Sequence, residues 1–514
     1  MLNNLEHYQE LYKACVAEKQ AIIPQYNQIM EYTLPFGHAD TIALPEDFIN
    51  RTINSEIRDA CNSFKNFVIY ALFGVETDWA ESDVIIPLVR QNRKFTGEAL
   101  EETVKKLRKT LESQTKDTFE YLRNTNYKQE IGRGIYDWGE LGTACYRINE
   151  LSSDADPFNF KYIPINELLF MEDYRGEPNI VFRKVYNKKP SEIVQIFPGA
   201  NVGSLEEDNK FTFTECVVPF NENGVQKFEW LLFDDSIAEV YDERIYGYNP
   251  FTVFRFSVVP QSSWGMGIGA VALDSYQRLV FYENLRARQA LRIVDPPLLL
   301  YGDKRLVEAF DLTPNGLNWG GDGLSVKAGV TPINTTGTLL PTEKDIDRLT
   351  ATIQALHFNN PFGSAENKTT RATDEIQYRM NLLQQKFDDA VTNLFKEVLI
   401  PTFYKPRAIL LAKDLLEKID DNKYFKARFI NALTKSVDMQ KIEGIVNMVQ
   451  ISQGIFPQDA FFIFNTDKTI EYMADKLRID TELLLTNQER EASKQSAVAS
   501  SLQAQQMLGG TNGQ

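Results

Sequence analysis

The side chains that most often carry out chemistry are sparse in this 514-residue chain. It has three histidines, His7, His38 and His357, and none lies within a helical turn of another. Zinc sites and Ser/His/Asp triads need such groups gathered in one place. The spacing therefore predicts neither a zinc centre nor a catalytic triad, and we expect no metal or other cofactor.

Nucleotide-binding motifs are also missing. The dipeptide Gly-Lys occurs nowhere, which excludes a Walker A loop, and HExxH and GxSxG are absent. Gly265, Gly267 and Gly269 follow a GxGxG spacing rather than the dinucleotide GxGxxG, and no alternating βαβ pattern surrounds them. We interpret these glycines as the start of a helix where two backbones approach closely.

Three pairs of adjacent aspartates are the remaining candidates for metal-dependent chemistry. They are Asp234-Asp235, Asp388-Asp389 and Asp420-Asp421. Neighbouring residues on a helix or strand point in different directions, and no third carboxylate accompanies any pair. The pairs are typical of a solvated surface, so the sequence predicts a protein that is not an enzyme.

Cysteine spacing and charge restrict the classes of protein further. Cys15, Cys61, Cys145 and Cys216 are far apart and form no CxxC, which predicts buried reduced thiols. A formal net charge of −16 argues against tight binding of nucleic acid, although not against nucleic acid sliding past. The longest apolar run, 67–75, is too short to cross a membrane.

Hydrophobic periodicity predicts a mainly α protein with one β-rich block, an α+β fold. Residues 1–144 have helical spacing, and 145–265 read as short strands with a hairpin turn at Asn221–Gly224. A helix over about 270–293 ends at Asp295-Pro296-Pro297, because prolines lack the N–H groups that a helix needs. A glycine-rich stretch, a second helix to 358, a polar loop and a long helix kinked near Pro401 follow.

Several short strings occur in an order that resembles a known family. Each is weakly specific, but together they are collinear over about 500 residues. They are similar to stretches of the portal (head-to-tail connector) proteins of short-tailed bacteriophages. The strings are Tyr32–Pro35, Thr77–Trp79, Leu141–Ala144, Trp264–Gly267, Arg371–Ile376 and Leu483–Thr486.

This resemblance implies a portal fold with a wing, stem, clip and crown, which assembles as a ring of about twelve copies. The ring would sit at one capsid vertex of the virion after assembly in the host cytoplasm. Carried onto this chain, the parts are the wing (1–265), the first stem helix (266–293), the clip (294–340), the second stem helix (341–358), the tunnel loop (359–371), a long kinked wing helix (372–417), the crown (418–487) and a flexible tail rich in Gln, Ser and Ala (488–514).

The resemblance also implies partners. Double-stranded DNA would pass through the ring without sequence specificity, driven by a separate terminase whose large subunit docks on the portal. A tail adaptor, the major capsid protein and scaffolding protein would be further partners, and no membrane is involved. Two other classes stay open: another virion component, such as a tail or internal protein, and a DNA-processing enzyme.

Five cations are candidates to contact DNA in the channel. Lys368 and Arg371 lie in the tunnel loop, where they would otherwise be solvated loop charges. Arg286, Arg288 and Arg292 lie near the end of the first stem helix. These arginines would otherwise form salt bridges between subunits, with acids such as Asp274, Glu283 or Asp345.

The clip offers candidates for docking the terminase and the adaptor. Leu317 and Trp319 lie beside Gly320 and Gly321, and tryptophan is enriched at interface hot spots. The alternative is that Trp319 fills the interior of the clip.

Overall fold

The computed structural model describes residues 5–34, 54–74, 78–85, 87, 89, 98–296, 298–301, 313, 316–320, 330–332, 340–359, 379, 382, 385–418, 425–429, 432–455, 469, 472 and 473. The chain divides into two compact units, Met1–Asn431 and Ala432–Gln514. Helices and strands both contribute, so the α+β prediction is confirmed. Among the described residues, no helix has the length and apolar character needed to span a membrane.

The helices follow the predicted three- and four-residue spacing of apolar side chains. The second helix shows how local chemistry starts one: the Asn54 side chain accepts hydrogen bonds from the N–H groups of Glu56 and Ile57, which caps its first turn. In chain order the helices are α1 (Leu5–Thr33), α2 (Ser55–Phe73), α3 (Glu98–Arg123), α4 (Tyr127–Glu140), α5 (Pro190–Ile196), α6 (Ile268–Val294), α7 (Leu340–Leu356), α8 (Asp388–Asn393), a π-helical turn (Leu394–Leu399), α9 (Ile400–Ala412) and α10 (Ala432–Ile455).

The strands concentrate between residues 143 and 266, as predicted. In chain order they are β1 (Ala80–Val84), β2 (Thr143–Glu150), β3 (Phe158–Ile163), β4 (Leu168–Met171), β5 (Ile180–Lys188), β6 (Phe211–Glu222), β7 (Val225–Asp234), β8 (Val240–Tyr246), β9 (Phe251–Arg255), β10 (Ser257–Val258), β11 (Gly265–Met266), β12 (Leu298–Tyr301), β13 (Leu317–Gly320), β14 (Val330–Pro332) and β15 (Phe425–Phe429).

Five sheets can be traced in the described part of the chain. The largest is an antiparallel meander, β4-β5-β6-β7-β8, and the next is β3-β2-β9. Asn223 and Gly224 both have positive φ angles, 52° and 79°, as a two-residue hairpin turn requires. The hairpin predicted at Asn221–Gly224 is therefore confirmed. The smaller sheets are β13-β12-β14, β10-β11 and β1-β15.

Helix α1 packs along the five-stranded sheet and contributes to two cores. Near its amino end, Tyr8 and Cys15 pack with Phe182 and Phe233 of that sheet. Further along, α1 joins a second core that includes side chains of β2, β9 and Trp264. Its residues in that core are Ile22, Tyr26, Ile29 and Met30. The helix therefore connects the meander to the region where α6 begins.

Helices α6 and α7 form an antiparallel pair. Residues early in α6 meet the end of α7, as in the contact of Tyr276 with His357, whereas Arg286 lies near Glu343 at the start of α7. The core between the two helices is closed by side chains of α2. Its buried members are Ile57, Ala60, Cys61, Ala272, Tyr276, Leu279, Ile346 and Ile353.

The end of α6 agrees with the sequence. The helix stops at Val294, and the N–H of Asp295 donates to the carbonyl of Leu291. The helix stop predicted before the prolines is thus confirmed.

Two expectations are wrong in detail. The long helix predicted over 372–417 is interrupted at Phe387, whose backbone has a φ of −143° and whose ring lies 5.1 Å from that of Phe256. A π-helical turn precedes Pro401 in place of a simple kink, and α9 ends at Ala412. The region expected to be wholly helical before residue 144 also contains β1, which pairs with β15.

The second unit is described mainly by α10. In the first unit, the described strands between 294 and 340 are short. There β12 pairs in parallel with β13 and antiparallel with β14.

Candidate functional site

The GxGxG segment at the start of α6 lies directly on the backbone at the end of α4. A Cβ atom at Gly265 would lie 2.1 Å from the carbonyl oxygen of Gly142. One at Gly267 would lie 2.5 Å from the Gly139 oxygen, and one at Gly269 would lie 2.5 Å from the Glu140 oxygen. Real Cβ atoms do not approach so closely, so only glycine fits. The predicted close backbone approach is confirmed, and we call 139–142 with 265–269 the glycine junction.

The turn that follows α4 also requires glycine, at position 142. Gly142 has a φ of +95°, in the left-handed region, and a Cβ there would lie 2.3 Å from the carbonyl carbon of Met266. Its carbonyl accepts a hydrogen bond of 2.8 Å from the N–H of Phe256. The strings Leu141–Ala144 and Trp264–Gly267, singled out separately in the sequence, are therefore in mutual contact.

A buried tyrosine from α1 forms hydrogen bonds to both sides of the glycine junction. The Tyr26 hydroxyl donates to the Gly265 carbonyl at 2.8 Å and lies 3.1 Å from the Thr143 hydroxyl oxygen. That oxygen accepts from the Gly265 N–H at 2.9 Å. These polar groups lie away from water, where an unmade hydrogen bond is costly.

Four polar side chains from α2, α4, α6 and the end of α7 meet beside the junction. His357 Nε2 lies 3.0 Å from Glu140 Oε1, 3.0 Å from the Tyr276 hydroxyl and 3.9 Å from Cys61 Sγ. The Tyr276 hydroxyl donates to Glu140 Oε2 at 3.0 Å. All four residues are buried, and Glu140 also contributes the carbonyl that contacts Gly269. We call Cys61, Glu140, Tyr276 and His357 the buried polar cluster.

The burial of these groups perturbs their protonation. Burial raises the pKa of the Cys61 thiol well above its usual value, and the Glu140 carboxylate raises it further. Burial and the same carboxylate raise the pKa of Tyr276. For His357, burial disfavours the charged ring, but the charge and hydrogen bond of Glu140 outweigh it and raise the pKa.

The cluster contains a set of metal-ligating types that the spacing of the histidines did not predict. Atoms of Cys61, Glu140 and His357 that can bind a metal all lie within 4.8 Å of one another. A mixed Cys/Glu/His set needs only one histidine, so the wide spacing of the three does not preclude it. The sequence signal was weak, because Cys61 and His357 occupy buried positions beside apolar helices and Glu140 ends a helix.

A partly buried lysine and a buried ion pair lie in the neighbouring core. Lys405 on α9 donates to the Phe251 carbonyl and to the Thr252 hydroxyl, both at 2.6 Å. Burial lowers the pKa of its ammonium group to about 7, despite the nearby Cys145. Arg255 forms a buried ion pair of 2.7 Å with Glu397 of the π-helical turn.

The arginines predicted to face DNA lie on the distal half of α6. Arg286 is exposed, and its guanidinium lies 3.9 Å from Glu343 of α7 within the same chain. Arg288 is exposed and Arg292 is partly exposed. Of the acids suggested as partners, Asp274 pairs with Arg278 at 3.0 Å, and Glu283 contacts Asn54.

The other sequence candidates are only partly described. Leu317 and Trp319 lie on β13, in register with Leu298 and Leu300 of β12. Lys368 and Arg371 lie outside the described residues, as does the pair Asp420-Asp421.

The acidic pairs that the structure describes lie at the surface. Asp235 is exposed and forms a 2.8 Å salt bridge with Lys184. Asp234 accepts hydrogen bonds from the backbone of its own turn. Asp388 and Asp389 are exposed at the start of α8.

Comparison with known proteins places this fold in a family. Residues 5–484 match the model of a family described as bacteriophage head to tail connecting protein. No curated protein matches the chain.

Proposed function

The chain belongs to the bacteriophage head-to-tail connecting proteins, which are structural components of the virion, and we propose that it is the portal subunit. In this role about twelve copies form a closed ring at one capsid vertex. A separate terminase packages double-stranded DNA through the ring, and the DNA later leaves the same way. The infecting particle is of the short-tailed type, and the subunit assembles in the host cytoplasm with the capsid and scaffolding proteins.

The antiparallel pair α6–α7 is the observation that carries this proposal. The two helices pack against each other and are separated in sequence only by 295–339, which includes the small β12–β14 sheet. A pair of helices that ends in a small module is what the stem and clip of a portal require. We therefore assign the stem to 266–293 and 341–358 and the clip to 294–340. The wing comprises 1–265 and 372–417, and the crown comprises 418–487.

The distal half of α6 supports contact between copies. Phe281, Leu291, Ile293 and Val294 expose between 52% and 75% of their surface in the single chain. Large apolar side chains that repeatedly face water along one segment indicate an interaction surface. A heterologous contact between this segment and a neighbouring copy would close a ring and cover them.

The net negative charge of the subunits would allow DNA to slide through the ring. About twelve copies at −16 each carry roughly −190 formal charges, which repel the phosphate backbone. A few cations at fixed heights then provide weak contacts without sequence preference. We propose Arg286, Arg288 and Arg292 for this role in the stem.

Lys368 and Arg371 extend the same argument to the tunnel loop. Rings of these cations would hinder back-slippage of packaged DNA through salt-screened contacts. Replacing both with Ser should leave ring assembly normal and lower the yield of DNA-filled particles, most clearly at low ionic strength. Equal retention of DNA by the double variant and the wild type at low and high salt would assign the loop to a passive linker.

The clip module is the proposed docking surface for the terminase large subunit and, later, the tail adaptor. Leu317 and Trp319 on β13 are its proposed anchors. Trp319→Ala should leave rings intact and weaken adaptor binding in a pull-down assay. Disassembly of the rings would instead place Trp319 inside the clip or between subunits.

Electron microscopy of the purified full chain tests the ring directly. Negative-stain images should show closed rings with a central hole, and native mass spectrometry should give one high oligomer. Phe281→Asp and Leu291→Asp should reduce ring formation, whereas the control Ile245→Asp, on the similarly exposed surface of β8, should not. Only monomers or open filaments across several salt concentrations would contradict the portal assignment. They would favour another component of the head–tail junction.

A further inference from the structure

The buried polar cluster contains a position that a hydrogen or a metal ion must occupy. His357 Nδ1 lies 2.8 Å from the Ile353 carbonyl oxygen, which can only accept, so Nδ1 carries a hydrogen. In the neutral ring Nε2 then has a lone pair, and it faces a Glu140 carboxylate oxygen at 3.0 Å. Two lone pairs do not approach so closely unless a hydrogen or a metal ion lies between them.

A single proton at this position leaves the Cys61 thiol without a short hydrogen bond to the other three side chains. Nε2 has three neighbours: Glu140 Oε1, the Tyr276 hydroxyl and Cys61 Sγ. An N–H group at Nε2 donates to Glu140 Oε1, and the Tyr276 hydroxyl donates to the other oxygen of the same carboxylate. The thiol lies 3.9 Å from Nε2 and 4.0 Å from the Tyr276 oxygen, at the outer limit of a sulfur hydrogen bond, and Tyr136 is a further hydrogen-bonding neighbour outside the cluster.

A divalent metal ion uses all of these atoms at once. Thiolate, imidazole and carboxylate are the ligand types of zinc, and zinc sites commonly place four ligands in a tetrahedron. The hydrogen bond from Nδ1 to a backbone carbonyl is the usual way in which a protein orients a histidine for metal binding through Nε2. Zn²⁺ with one thiolate and one carboxylate is also electrically neutral, which suits a buried site.

We propose that Cys61, Glu140 and His357 bind a structural zinc ion, with the Tyr276 hydroxyl at the fourth position. The ligands come from α2, α4, α6 and the end of α7, so the ion links the α6–α7 pair to α2 and α4. All four side chains are buried, so the ion is acquired as the chain folds and exchanges slowly afterwards. This inference rests on the arrangement of the cluster and not on ring formation.

Metal analysis of the full-length protein tests the proposal. The protein is expressed with added zinc, treated with EDTA, desalted and analysed by inductively coupled plasma mass spectrometry. We expect about one zinc ion per chain in the wild type and less than about one per ten chains in Cys61→Ala and His357→Ala. Cys216→Ala, which removes an equally buried thiol in another core, is the control and should keep its zinc.

A spectroscopic measurement does not depend on the folding of the alanine variants. Protein produced with cobalt in place of zinc should show a thiolate-to-cobalt charge-transfer band and the intense visible bands of a tetrahedral site. Cys61→Ser should lose the charge-transfer band, and Cys216→Ser should keep it.

Two outcomes would overturn the proposal. Folded wild-type protein with less than about one transition-metal ion per ten chains would assign the cluster to a protonated His357 paired with Glu140. Zinc that EDTA removes without any change in thermal unfolding would be surface-bound metal only. Both readouts are independent of electron microscopy, so rings without zinc would refute this site and leave the portal assignment standing.

Discussion

Replacing Gly267 with alanine tests the glycine junction most directly. Gly267 has a φ of −97° and a ψ of −175°, so its backbone conformation is open to any residue and the effect must come from contact. The added Cβ would lie 2.5 Å from the Gly139 oxygen and 2.7 Å from both the Glu140 oxygen and the Gly142 nitrogen. All three atoms are backbone, so no flexible side chain can move aside.

The expected loss of stability follows from three contributions. Overpacking of this kind typically costs about 1–3 kcal/mol, and a clash with backbone on several sides belongs at the upper end. Alanine is also a poorer residue than glycine before the first turn of α6, which adds about 0.5 kcal/mol. The lower entropy of the unfolded chain opposes this by about 0.4–1 kcal/mol. The net change is about 3 kcal/mol of destabilisation.

Urea denaturation followed by tryptophan fluorescence measures this change, since the buried Trp264 directly precedes Gly265 in the junction. With a slope of about 3 kcal/mol per molar urea, the midpoint should fall by about 1 M. Gly247→Ala is the matched control, because a Cβ there meets no atom within 4 Å, and its midpoint should stay level or rise slightly. Equal midpoints for the two variants would refute the close approach at the junction.

Two further predictions concern charged side chains near α9. The lowering of the Lys405 pKa to about 7 means that the folded state favours the neutral amine, so wild-type stability falls as the pH drops from about 10 to about 7. Lys405→Met removes this loss, so the urea midpoint of the variant should rise relative to that of the wild type as the pH falls towards 7. A difference between the two midpoints that does not change with pH would contradict the lowered pKa. Arg255→Met leaves Glu397 buried without its partner, which should cost about 3–5 kcal/mol of unfolding free energy by urea denaturation. A cost below about 1 kcal/mol would show that the pair is solvated.

The sequence predicted the helices and strands well where residues close together in the chain determine where an element begins or ends. Prolines ended α6 at the expected place, and Asn223-Gly224 formed the expected hairpin turn. The GxGxG spacing also indicated a close backbone approach, because glycine has few other reasons to recur at alternate positions before a helix. The partner of that approach, at 139–142, lies more than 120 residues away and left no local signal.

Tertiary contacts decided the features that the sequence did not reveal. Phe387 fits the helical spacing of its neighbours, yet its backbone leaves the helix where its ring contacts Phe256. Strand β1 is short and half polar, and only its pairing with β15 makes it a strand. The buried polar cluster joins Cys61, Glu140 and His357 from distant parts of the chain, so no spacing rule could detect it.

The glycine junction also sets an order of events during synthesis. The end of α4 leaves the ribosome roughly 120 residues before Gly265–Gly269, an interval on the order of ten seconds at typical rates of translation. In that interval the strands from β2 to β9 are complete and can pair, since their partners all lie between residues 143 and 255. The β-rich block therefore has time to fold before the two ends of its own chain segment are joined, and α6 packs onto it afterwards.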